Sequence, residues 1–184
     1  MKLQAGVHFK TLRSDLSRDN TAKILWALNR PEILGFLERC PVNSIAIERV
    51  GSKVRTAEYN WRDKAIIINS ARKLGVQYGE KFRAGATGNM SAATLDKIES
   101  MRRSLLQEFA HHLENSIPGA SPVIREAFAN PDKRPITGYA AGIANEYFAE
   151  SFVAKIVEPK ALADHDPVGS RIVEQIFRLM RAQR

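Results

Sequence analysis

Apolar residues recur at helical spacing over several stretches of the chain and at strand spacing over one. Leu95, Ile98, Met101, Leu105, Phe109 and Leu113, widened by Leu106 and Ala110, fall at three- and four-residue steps and predict a helix with one buried face. Phe148, Phe152 and Ile156 predict another, which Pro159 ends. Ile172, Val173, Ile176, Phe177 and Met180 predict a last one, with Asp166 as its cap and Pro167 in its first turn. Near the start, Ile24, Leu25, Leu28, Ile33, Leu34 and Leu37 carry a helix pattern that Pro31 splits in two. From 44 to 69 the period changes. Segments 44–50, 54–61 and 64–69, parted by turns at Gly51-Ser52 and Arg62-Asp63, predict an antiparallel meander whose last strand is mostly buried.

The remaining segments read as connections. Residues 70–90 hold Gly75, Gly79, Gly85 and Gly88 among polar neighbours and predict a long link, ending at Ser91 as a helix cap. Ser121-Pro122 opens a short helix over 121–129, and 130–135 is a basic, proline-bounded loop. The sum is an α+β chain of one domain: residues 1–43 helical, 44–114 a small antiparallel sheet packed on a long helix, and 115–184 mostly helical.

Length and composition set outer limits. At 184 residues the chain can bury an adequate core without disulfides, and its one cysteine, Cys40, reads as a small buried apolar residue. No signal peptide or run of eighteen apolar residues is visible, so the expectation is a cytoplasmic protein with no membrane contact. The formal charge is +8, from 28 basic and 20 acidic residues, which raises an anionic partner. The basic residues are spread out, however, with the densest groups at Arg102-Arg103, Lys133-Arg134 and 178–184. A solvated basic surface therefore explains the charge better than a nucleic-acid site does, and no helix-turn-helix, zinc-finger spacing or stacking platform is present.

Polar residues interrupt the apolar helices at two places. At about 100° per residue, Gln107 and His111 lie roughly 40° apart, one turn above the other, with Glu108 beside them. That is the layout of HExxH, in which two histidines bind zinc and the glutamate is the general base, with Gln107 where the first histidine would stand. His112 points about 100° away from His111 and reads as a partly exposed polar residue. On the later helix, Glu146 and Glu150 stand one turn apart on a largely apolar surface. A catalytic zinc needs three protein ligands and an open position for water. Here His111 and Gln107 offer two, a carboxylate from Glu146 or Glu150 a third, and Tyr139 a hydroxyl for an oxyanion. Asp164-His165-Asp166 reads as a cap and a solvent-exposed turn rather than a metal site.

Tyr139, six intervening residues, and then Glu146-Tyr147-Phe148-Ala149-Glu150-Ser151-Phe152, following a HExxH-like helix, resemble the gluzincin metallopeptidases of the anthrax lethal factor type. The resemblance implies a zincin-like fold, and a zinc held by Glu146 with His111 and the residue at 107. It also implies Glu150 orienting a first-helix ligand from behind, Tyr139 facing the substrate oxygen, and Glu108 as the base. The implied partner is a peptide or protein paired along the sheet edge. The departure is Gln107, whose amide oxygen is a poor zinc ligand beside imidazole. Three outcomes stay open: a working enzyme with a weakened or different metal, a peptidase-like fold that binds peptides without cleaving them, or a site made inactive by substitution.

Overall fold

A computed structural model describes residues 8–12, 31–48, 57–69 and 100–183. The elements run β1 (His8–Leu12), α1 (Pro31–Arg39), β2 (Ser44–Glu48), β3 (Ala57–Asn60), β4 (Ala65–Asn69), α2 (Ser100–Ser116), α3 (Ala120–Ala129), α4 (Gly138–Gly142), α5 (Ala144–Val157), α6 (Pro159–His165) and α7 (Pro167–Ala182). The class is α+β, with one sheet in the first half and helices through the second. The expected helix over 19–30, the link over 70–90 and the cap at Ser91 lie outside the described residues.

The sheet is not the antiparallel meander that the strand pattern predicts. Its order is β1-β2-β4-β3, with β2 parallel to both β1 and β4 and only the β3–β4 pair antiparallel. The turn at Arg62-Asp63 is where expected. Asn60 Oδ1 accepts the backbone N–H groups of Arg62 and Asp63 at 3.0 and 3.3 Å, and Lys64 closes the turn at φ 47°. That hairpin then inserts β4 beside β2, with Ser44 opposite Ala65 and Glu48 opposite Asn69, and leaves β3 on the edge. The apolar Ile66 and Ile68 belong in a doubly flanked position, whereas β3 keeps a half-buried Tyr59 and an exposed Glu58. β1 also corrects the expectation of a wholly helical N-terminal part, since His8–Leu12 extends the sheet against β2.

The helices cover the sheet through one apolar core. Leu105, Phe109 and Leu113 of α2 share one buried cluster with Ile45, Ile66 and Ile68 of the sheet and Phe148 and Phe152 of α5. Phe36, Phe152 and Phe177 tie α1, α5 and α7 together, with ring centroids 4.6 to 6.0 Å apart in tilted and edge-on pairs. Cys40 is buried as expected. Three boundaries differ from the sequence pattern. The 138–157 stretch is broken at Ile143, whose extended backbone (φ −143°, ψ 129°) separates α4 from α5, and Pro159 starts a further helix, α6, as well as ending α5. α3 begins at Ala120, one residue before Ser121, after Gly119 in the left-handed region at φ 84°.

Of the 164–166 triplet, Asp164 is exposed as expected, whereas His165 and Asp166 are buried. Asp166 caps α7 by accepting Gly169 N–H at 3.0 Å, as predicted, but it also accepts the Tyr147 hydroxyl at 2.7 Å and is fully buried. Burial, with Asp166 alongside, holds the Tyr147 phenol well above its usual range, so it stays a donor. Position 169 has to be glycine, because a Cβ would stand 2.5 Å from Asp166 Oδ2 and 2.7 Å from Ser151 Oγ. This clamp fixes α7 against α5, the helix that carries Glu146 and Glu150.

Among the described residues no helix is long and apolar enough to cross a membrane.

Candidate functional site

α2 and α5 pack side by side, and each presents a polar row at four-residue spacing to the other. On α2 the row is Arg103, Gln107 and His111; on α5 it is Glu146 and Glu150. His111 Nε2 stands 3.5 Å from Glu146 Oε1, with 16% and 14% of the two side chains exposed. The spacing is longer than a good hydrogen bond and falls within the roughly 3–3.6 Å that separates adjacent donors on one divalent cation with bonds near 2.1 Å. One turn along, the Gln107 amide donates to Glu150 Oε1 at 2.7 Å. Arg103 donates to the same oxygen in a buried ion pair.

Gln107 with Glu150, and His111 with Glu146, thus form two pairs one turn apart where the two helices meet. Among the described residues no three His, Cys, Asp or Glu side chains form a metal-holding group. The donor set therefore consists of one imidazole, one carboxylate and, with its nitrogen committed to Glu150, the carbonyl oxygen of Gln107. These groups fit a divalent cation, with less zinc character than two imidazoles would give.

The titratable groups of this region shape one another. Glu108 is pushed up to about 7, chiefly by burial, with Glu146 and Glu58 adding to the rise and His111 and the Tyr59 backbone opposing it. Burial works against charge on His111, but Glu146, Glu108 and Glu114 together outweigh it and hold the ring above its usual range. Burial likewise raises Glu150, and Arg103 and Gln107 pull it back.

Tyr139 lies on α4 and is 59% exposed, so the chain leaves it at the surface of the same helical half rather than within the α2–α5 row. His112 corrects the expectation of a partly exposed residue. It is fully buried, with Nε2 at 2.9 Å from the Cys40 carbonyl and Nδ1 at 2.8 Å from the Tyr59 hydroxyl. A carbonyl only accepts, so Nε2 carries the proton and Nδ1 accepts from tyrosine. Burial lowers its pKa from the usual 6.5. The folded ring stays neutral where the unfolded one takes a proton, so stability contributed by His112 is full above about pH 6.5 and is lost as pH falls below it. The stability difference between the native chain and His112→Gln, read by urea unfolding, should narrow from pH 7.5 to pH 5; a constant difference would mean that the ring is not held neutral.

Two residues near the site, Arg103 and Tyr59, are not among those that the sequence pattern picks out. Arg103 sits one turn before Gln107 and reads there as part of a basic pair, whereas it is buried against Glu150. Tyr59 places its hydroxyl on His112, beside the α2 row. The four-residue step from Arg103 to Gln107 was available as a clue, but nothing in β3 announces which helix it meets.

Compared with known proteins, the chain matches no family model, no curated protein and no solved structure.

Proposed function

We propose that this chain is a zincin-like metallopeptidase frame that hydrolyses peptide bonds with a metal-activated water, its hold on zinc weakened by Gln107. The meeting of His111 with Glu146 at 3.5 Å, from two helices far apart in sequence, carries the reading. Gln107, His111 and Glu146 would hold the cation. When bound, it would supply Lewis acidity toward a carbonyl and a water with a pKa lowered toward about 7.

The chain's own groups complete the chemistry. Glu108 is suited to take a proton from the attacking water and return it to the leaving amine, because its pKa of about 7 leaves both forms populated near neutrality. By the resemblance, the exposed Tyr139 would supply a hydroxyl to the oxyanion. β3, at the edge of the sheet and beside α2, is the strand along which an extended peptide would pair.

Incubation with a mixed peptide library, with divalent ions and then with chelator, tests the reading. Cleavage should disappear on chelation and fall roughly 10²–10⁴-fold in Glu108→Gln. Cleavage indifferent to Glu108→Gln would refute the assignment of the base. Peptide binding without cleavage under any metal would favour a binding module instead.

A further inference from the structure

Gln107 is the donor whose chemistry departs from the resemblance, and its surroundings fix how it is presented. Arg103 and Glu150 are both buried, with 4% and 2% of their side chains exposed, so water does not displace the pair. Glu150 Oε1 is an acceptor for the guanidinium and the Gln107 amide nitrogen together. An amide held by its nitrogen has only its carbonyl oxygen left for another partner. Arg103 also takes up the charge of Glu150, so that carboxylate adds no net negative charge behind the donors.

What remains is one imidazole nitrogen, one carboxylate oxygen and one neutral carbonyl oxygen. Imidazole-rich sets suit zinc, copper and iron, whereas carboxylate and carbonyl sets suit manganese and the alkaline-earth ions. Calcium and magnesium take oxygen ligands, which sets them against His111. Resting on the peptidase-frame reading above, we infer that Gln107, His111 and Glu146 form a mixed nitrogen–oxygen site for a divalent cation of the Mn2+ class rather than a tight zinc site. Arg103 and Glu150 are its positioning residues, holding Gln107 with its oxygen free.

The experiment is direct metal binding on the full chain and on Gln107→His: Mn2+ by loss of the free-ion paramagnetic resonance signal, Zn2+ by competition with a chromophoric chelator. Zinc outranks manganese at nitrogen–oxygen sites in general, so the ratio is the readout. The native chain should bind one Mn2+, with zinc favoured by no more than about tenfold. Gln107→His should widen that preference by roughly 10–100-fold or more, since a ligand exchange should exceed what outer partners contribute. A zinc preference already above about 100-fold in the native chain, or one unchanged in the variant, would overturn the inference. Zinc held by the variant alone, with neither ion held by the native chain, also overturns it and leaves the peptidase frame standing. Neither ion held by either protein would remove the frame reading itself.

Discussion

Arg103→Met should cost about 3–5 kcal/mol of folding stability, the largest loss expected from any single change in the α2–α5 contact. Methionine fills much of the same volume, so the cost comes from charge rather than from a cavity. Glu150 would be left in the core facing only the Gln107 amide, with its desolvation uncompensated. Urea unfolding would show the loss as a lower midpoint at nearly constant slope. The double variant Arg103→Met with Glu150→Leu should recover most of it, because an apolar pair of similar volume commonly replaces a buried ion pair without penalty. Recovery would stop short by about 1–3 kcal/mol, the cost of leaving the Gln107 amide without its acceptor. A single variant as stable as the native chain would mean that Arg103 and Glu150 are not paired in the interior.

Gln107→His should turn zinc into a folding ligand. An imidazole at 107 can donate one ring N–H to Glu150, as the amide does now, and offer its other nitrogen to a metal shared with His111 and Glu146. Binding to the folded chain alone stabilises it by about 4 kcal/mol at a zinc concentration 1,000 times Kd. Thermal unfolding with and without zinc reads this directly, and the native chain serves as the reference with a smaller shift. The variant should also gain peptidase activity over the native chain. If zinc leaves its unfolding unchanged and no cleavage appears, position 107 is not a ligand slot.

The parts of this molecule that were legible in the sequence are those whose residues repeat at a fixed period. Phe109 and Leu113 on α2, Phe148 and Phe152 on α5, and Ile172 and Ile176 on α7 marked buried faces because a helix repeats every 3.6 residues. The same arithmetic put Gln107 with His111, and Glu146 with Glu150. The structure packs those rows against each other, with Gln107 on Glu150 and His111 beside Glu146. Strand order was not legible, since β2 and β4 look the same whether they run parallel or antiparallel, and a parallel partner lies beyond any local turn. His8–Leu12 was missed for that reason too: five residues with little alternation become a strand only beside β2. Arg103 and His112 were misjudged because a charged or polar residue reads as exposed until its partner is known, and their partners, Glu150, Tyr59 and Cys40, are remote in sequence.

The hairpin also bears on the order in which the chain assembles. β3 and β4 are joined by a four-residue turn and need only a short loop to close, whereas the β2–β4 ladder has to bring together segments with the whole of β3 between them. A microsecond event thus precedes a slower docking. Because Tyr59 rides on the early-forming piece and meets His112, α2 acquires its final alignment in the late step, when the preformed ribbon seats against it.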